Sequence, residues 1–90
     1  MLTVHLFITG KVQGVYYRAS ASEVATQLGL TGWVRNTAEG AVEAMAQGEE
    51  EKVRQFTDWC RRGPAAAVVR EVKTIVLQTS ESFTGFQVRR

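Results

Sequence analysis

The first ten residues alternate cleanly. Leu2, Val4, Leu6 and Ile8 are apolar, and Thr3, His5, Phe7 and Thr9 lie between them. That period of two predicts a strand with one face buried, ended by Gly10. A short loop, Gly10 to Tyr17, leads into a helix that runs to about Leu28. Ser20 and Glu23 have capping-box spacing, which sets the helix start near Ser20 or one turn earlier. Val24, Leu28 and the alanines at 21 and 25 form its apolar stripe. Gly29 fits the residue just past the helix end, and Leu30 is placed for the hydrophobic contact of a Schellman stop.

Gly32 to Thr37 and Ala41 to Gln47 read as two strands joined through Ala38-Glu39-Gly40, a tight hairpin. A second helix follows, with Glu49, Glu50 and Glu51 at its positive end and Arg61 and Arg62 at its negative end. Val53, Phe56 and Cys60, joined by Trp59, supply its apolar face, and Gly63-Pro64 stops it. Val72 to Thr79 reads as a fourth strand and Phe83 to Arg89 as a short fifth. The order βαββαβ, as two split βαβ units, implies an α+β class: a ferredoxin-like α/β sandwich with an antiparallel sheet and both helices on one face. Ninety residues without repeat or linker make one domain, 1–90.

Composition narrows the function classes. The net charge of +2 is small and scattered, with no run of more than two basic residues, so it does not argue for nucleic acid. No apolar stretch approaches the roughly 20 residues that span a bilayer. A lone cysteine, Cys60, cannot form an internal disulfide, and the expectation is a cytoplasmic monomer.

Two places can carry chemistry. The loop Gly10-Lys11-Val12-Gln13-Gly14-Val15-Tyr16-Tyr17-Arg18 joins a strand to a helix N-terminus, where unpaired N–H groups and the helix dipole favour an anion. Its glycines allow close backbone approach, and Arg18 brings a planar fork suited to two phosphate oxygens. Read from spacing alone, a tight turn with a surface arginine explains the loop equally well. Nucleotide binding has no support, because neither the Walker pattern nor the dinucleotide fingerprint is present. The second place is Asn36, at the end of Gly32-Trp33-Val34-Arg35-Asn36. Its carboxamide can both donate to and accept from a water molecule, although asparagine also starts hairpin turns well.

The loop closely resembles the acylphosphatase signature, glycine-x-valine-glutamine-glycine-valine-x-aromatic-arginine. Gly32 to Thr37, followed by Gly40 and Val42-Glu43, resembles the second signature of that family, and Gly63-Pro64, Ala67-Val68, Val72 and Phe86 also fall where it has equivalents. The chain departs from the pattern at Tyr17, commonly phenylalanine, and at Ala65, commonly a second proline. The resemblance implies a hydrolase of acyl phosphates that needs no metal or other cofactor and releases inorganic phosphate, which would also inhibit. It assigns the phosphate to Arg18 and to the backbone of Val12, Gln13, Gly14, Val15, Tyr16 and Tyr17, and the attacking water to Asn36.

Other chemistry lacks its parts. His5 is the only histidine and there is no cysteine pair, so a transition-metal site lacks ligands. Cys60 lies on an apolar stripe and reads as core. The single aspartate, Asp58, sits mid-helix, distant from any serine–histidine pair. The competing class is a single-stranded RNA-binding module, since sheets of this kind can stack bases on exposed aromatics such as Phe7 or Trp33. The basic and aromatic pattern that such a module carries on its third strand is absent from Ala41 to Gln47.

Overall fold

The computed structural model describes residues 1–79 and 81–89. Seven elements follow one another: β1 (Leu2–Lys11), α1 (Tyr17–Gln27), β2 (Thr31–Asn36), β3 (Val42–Gly48), α2 (Glu50–Arg62), β4 (Val68–Val76) and β5 (Phe86–Arg89). They build a five-stranded sheet in the order β4-β1-β3-β2-β5. The first four strands pair antiparallel, as the ferredoxin-like order requires. The fifth joins parallel to β2, from Gly32 opposite Phe86 to Arg35 opposite Arg89, so the sheet is mixed.

One face of the sheet carries the core. Val4, Leu6 and Ile8 of β1 and Val42, Ala44 and Ala46 of β3 are buried there. Against them lie Ala21 and Ala25 of α1 and Val53, Phe56 and Cys60 of α2. Each fully buried large side chain contributes roughly 1.5–3 kcal/mol relative to exposure. Cys60 is wholly buried among apolar neighbours, and that burial pushes its thiol up to about 12, as expected of a core residue.

The two helices end as their sequences indicate, and α1 begins at the earlier of its two expected starts. At its C-terminus the Leu30 N–H reaches the Ala25 carbonyl and the Gly29 N–H reaches the Thr26 carbonyl, a complete Schellman motif. Gly29 takes φ of +74°, which a side chain would resist. At the other end the Ser20 N–H already bonds the Tyr16 carbonyl, so the helix starts a turn before Ser20 and the capping-box spacing does not mark its first residue. Tertiary anchoring selects this earlier start. The Tyr17 ring is buried 5.4 Å from Trp59, and its hydroxyl donates to the Cys60 carbonyl at 2.7 Å. Burial raises the phenol's pKa, so it stays a donor, and the extra hydroxyl at this position has a partner.

The edge strands also depart from the periodicity. β4 begins at Val68, four residues before Val72, because β1 runs on past a bulge at Thr9/Gly10 and pairs Gly10 and Lys11 with Val69 and Val68. β5 begins at Phe86, three residues after Phe83, where its pairing with β2 begins. The opposite sheet face is mixed, with Phe7, Trp33, Met45 and Ile75 among charged and polar residues. Glu43 there accepts from Arg35 Nε at 2.6 Å and pairs with His5 Nε2. Burial pushes the Glu43 carboxyl up, but the hydrogen bonds from His5 and Arg35 outweigh it and hold it below the ordinary carboxylate range. No helix among the described residues is long and apolar enough to cross a membrane.

Candidate active site

β1 delivers its last residues to the end of the sheet where β2 also finishes, and α1 starts between them. The connecting loop turns sharply through two left-handed residues, Gly14 at φ of +75° and Tyr16 at +61°. Glycine takes this conformation freely, whereas a tyrosine pays roughly 1–2 kcal/mol for it. Such strain is held only where surrounding structure over-determines it. Here the neighbours supply the hold: Val12 and Val15 are buried in the core on one side of Tyr16 and Tyr17 on the other.

Of the residues that the sequence singles out, Val12, Gly14, Tyr16, Tyr17, Arg18 and Asn36 line a single cleft of about 660 Å³. That volume suits a small ligand. Arg18 and Asn36, eighteen positions apart in the chain, are thus brought to one cavity. Gln13 and Val15 are not part of its lining. The Gln13 side chain turns to the β2–β3 hairpin, where its amide donates to the Thr37 carbonyl at 2.9 Å and the Ala41 carbonyl at 2.8 Å. Val15 is packed inward.

The donors facing the cleft come from three sources. α1 has no side-chain cap and no acidic residue in its first turn, so its opening N–H groups and positive dipole end are left for an anion. Arg18, in that first turn, is held by a hydrogen bond from Nη1 to the Arg89 carbonyl of β5 at 3.1 Å. One of its five N–H groups is thereby used, and the planar fork is oriented rather than free. Asn36 ends β2, opposite Val42 of β3. It does not close the hairpin turn. Thr37 does that, donating its N–H to the Ala41 carbonyl and accepting the Ala41 N–H on its hydroxyl at 3.1 Å.

Sequence reasoning missed two lining residues, Ala19 and Val88. Ala19 follows once the helix start is moved back a turn. Val88 left no local signal, because it reaches the cleft only through the parallel pairing of β5 with β2. A second cleft, of about 600 Å³, lies between α2 and β4. Its charged residues already pair with one another, Arg54 with Glu50 and Arg61 with Asp58. Among the described residues no group of three or more His, Cys, Asp or Glu could hold a metal ion. On the open sheet face, Trp33 is flanked by two guanidinium groups, Arg89 at 4.9 Å and Arg35 at 5.5 Å from its ring centre, so it is not a bare stacking platform.

Comparison with known proteins places the sequence and its fold in a family. The acylphosphatase family model matches residues 4–88. An acylphosphatase of Marinobacter nauticus is 51% identical over 83 residues, covering 92% of this chain and 90% of its own. The crystal structure of acylphosphatase from Bacillus subtilis superposes with a TM-score of 0.96 at 28% identity, covering all of both chains. The acylphosphatase structure from Coxiella burnetii gives 0.93 at 39% identity, covering 98% of this chain and 92% of that one. This chain belongs to the acylphosphatase family, whose reaction is the hydrolysis of acyl phosphates.

Proposed function

We propose that this chain splits acyl phosphates in the cleft between the Gly10–Arg18 loop and the end of β2, with Arg18 holding the phosphoryl group and Asn36 placing the attacking water. The observation that carries the reading is that Arg18, the uncapped start of α1 and Asn36 all face one cavity. Phosphoryl transfer passes through a loose transition state, so positioning and charge stabilisation supply most of the catalysis. Backbone N–H groups of the loop and the Arg18 fork form a preorganised cradle for the phosphoryl oxygens.

Asn36 orients a water in line with the scissile bond, turning solvent attack into a positioned step. The water oxygen bonds to phosphorus, and the P–O bond to the acyl group breaks with its electron pair on the departing carboxylate. An amide is a poor base, so the proton passes late, to a phosphoryl oxygen. The carboxylate leaves readily and the guanidinium supplies the positive charge, so the reaction proceeds without a metal or other cofactor. Inorganic phosphate, the product, occupies the same cradle and inhibits. The protein works as a cytoplasmic monomer. Its single thiol is buried, and no nucleic acid or membrane takes part.

The test is hydrolysis of benzoyl phosphate followed by ultraviolet absorbance, with EDTA present and Asn36→Ala as control. Turnover is expected to survive the chelator and to collapse in the variant, while inhibition by phosphate stays within about threefold of the parent. A variant that phosphate inhibits far more weakly would overturn the division of roles. No turnover from folded parent protein would overturn the enzyme.

A further inference from the structure

We infer that Gln13 is a positioning residue: its side-chain amide locks the phosphate loop to the β2–β3 hairpin and so fixes the distance between the phosphoryl cradle and Asn36. The inference rests on the roles proposed above for Arg18 and Asn36.

The geometry is specific. Gln13 Nε2 donates to the carbonyls of Thr37 and Ala41, at 2.9 and 2.8 Å, and both of its N–H bonds are used. Those two carbonyls flank the turn that begins directly after Asn36. They are also the turn's own acceptors. The Ala41 carbonyl takes the Thr37 N–H at 2.9 Å, and the Thr37 carbonyl takes the Gly40 N–H at 3.3 Å. One amide thus completes both ends of the hairpin from outside it, across more than twenty residues of chain.

The phosphate side has separate anchors. Tyr17 is tied to the Cys60 carbonyl and Arg18 to the Arg89 carbonyl, and Val12 and Val15 are buried in the core. The backbone of Asn36 is held at the end of β2 by pairing with β3, and Gln13 is the side-chain tie between the turn that follows it and the loop. Losing the amide frees the turn next to Asn36 and loosens the water-positioning group relative to a cradle that stays in place. Misplacing a reacting group by about 1 Å can cost on the order of 100-fold in rate.

The test is Gln13→Met, which keeps the chain length and removes both donors, with Gln13→Ala as a second variant and folding checked by circular dichroism and urea titration. For folded variant, kcat on benzoyl phosphate is expected to fall roughly 10- to 100-fold. The inhibition constant of inorganic phosphate is expected to stay within about threefold. A double-mutant cycle with Asn36→Ala separates positioning from general loosening. A residue that acts only through Asn36 costs nothing further in the Asn36→Ala background, so Gln13→Met there should leave the residual rate unchanged. Full turnover in Gln13→Met overturns the inference, as does equal loss of turnover and phosphate affinity, or a further rate loss on top of Asn36→Ala. If Asn36→Ala alone retains full activity, the roles proposed above fail instead, whatever Gln13 does.

Discussion

The two helices of this protein are built by opposite rules. α2 compensates its own dipole and buries a regular stripe: Glu50 and Glu51 stand in its first turn, Arg61 and Arg62 in its last, and Val53, Phe56 and Cys60 face the core. Neither helix has a side-chain cap, but α1 also has no acid in its first turn and no base in its last. It starts after a left-handed tyrosine and is fixed by the buried Tyr17 instead. The difference fits the proposed roles, with α1 opening onto the phosphate cleft and α2 serving the core. A helix that neutralises its own positive end has nothing left for a phosphate, and one that leaves that end open must be stabilised by its neighbours.

That contrast can be broken from either side. The largest effect is expected at the centre of the structural helix. Phe56→Ala should cost about 3–5 kcal/mol of unfolding free energy by urea titration, because it empties a wholly buried site against Phe86 and Trp59. On the functional helix, Arg18→Ala should cost at least about 3 kcal/mol of transition-state stabilisation, read as kcat/KM on benzoyl phosphate. Its stability should change by less than about 1.5 kcal/mol, since the side chain makes one exposed hydrogen bond. Arg18→Lys should lose nearly as much activity, because a point charge does not reproduce the fork.

A sharper version makes α1 resemble α2. Ala19→Glu places a carboxylate in the open first turn, at a residue that lines the cleft. It should raise stability by about 0.3–1 kcal/mol while weakening phosphate inhibition several-fold. If phosphate inhibits this variant as strongly as the parent, the open helix end is not what holds the anion. The smallest effect is expected at the start of α2. Glu50→Gln removes a dipole-compensating charge and an exposed pair with Arg54, for about 0.3–1 kcal/mol of stability and no change in turnover.

Much of this was legible in the chain because the signals are local. The alternation from Leu2 to Ile8, the glycine stop after α1 and the charged ends of α2 each involve residues within one or two turns of one another. The loop ending in Arg18 and the strand ending in Asn36 were legible as segments for the same reason. Local spacing fits a plain turn equally well, and only the resemblance to the acylphosphatase signatures singles out those two residues. What escaped were the features set by distant partners. Tyr17 anchors to Cys60, which decides between the two starts of α1 that the sequence leaves open. The extension of β1 past its bulge lengthens β4, and Gln13 turns away from the cleft to bond the hairpin.

The sequence by itself determined the kinds of element, their order, the buried stripe of α2, and a phosphate-suited loop with an arginine and an asparagine at set places. Backbone sterics, side-chain periodicity and helix-end chemistry act over a few residues, so one chain segment suffices to read them. Only the tertiary structure decided that Arg18 and Asn36 share a cavity, that β5 lies parallel to β2 with Val88 beside that cavity, and that the Arg89 carbonyl holds the Arg18 guanidinium. Those pairings join residues up to 71 positions apart. No local preference encodes them, because they arise only when burial of one common core brings the ends of separate strands together.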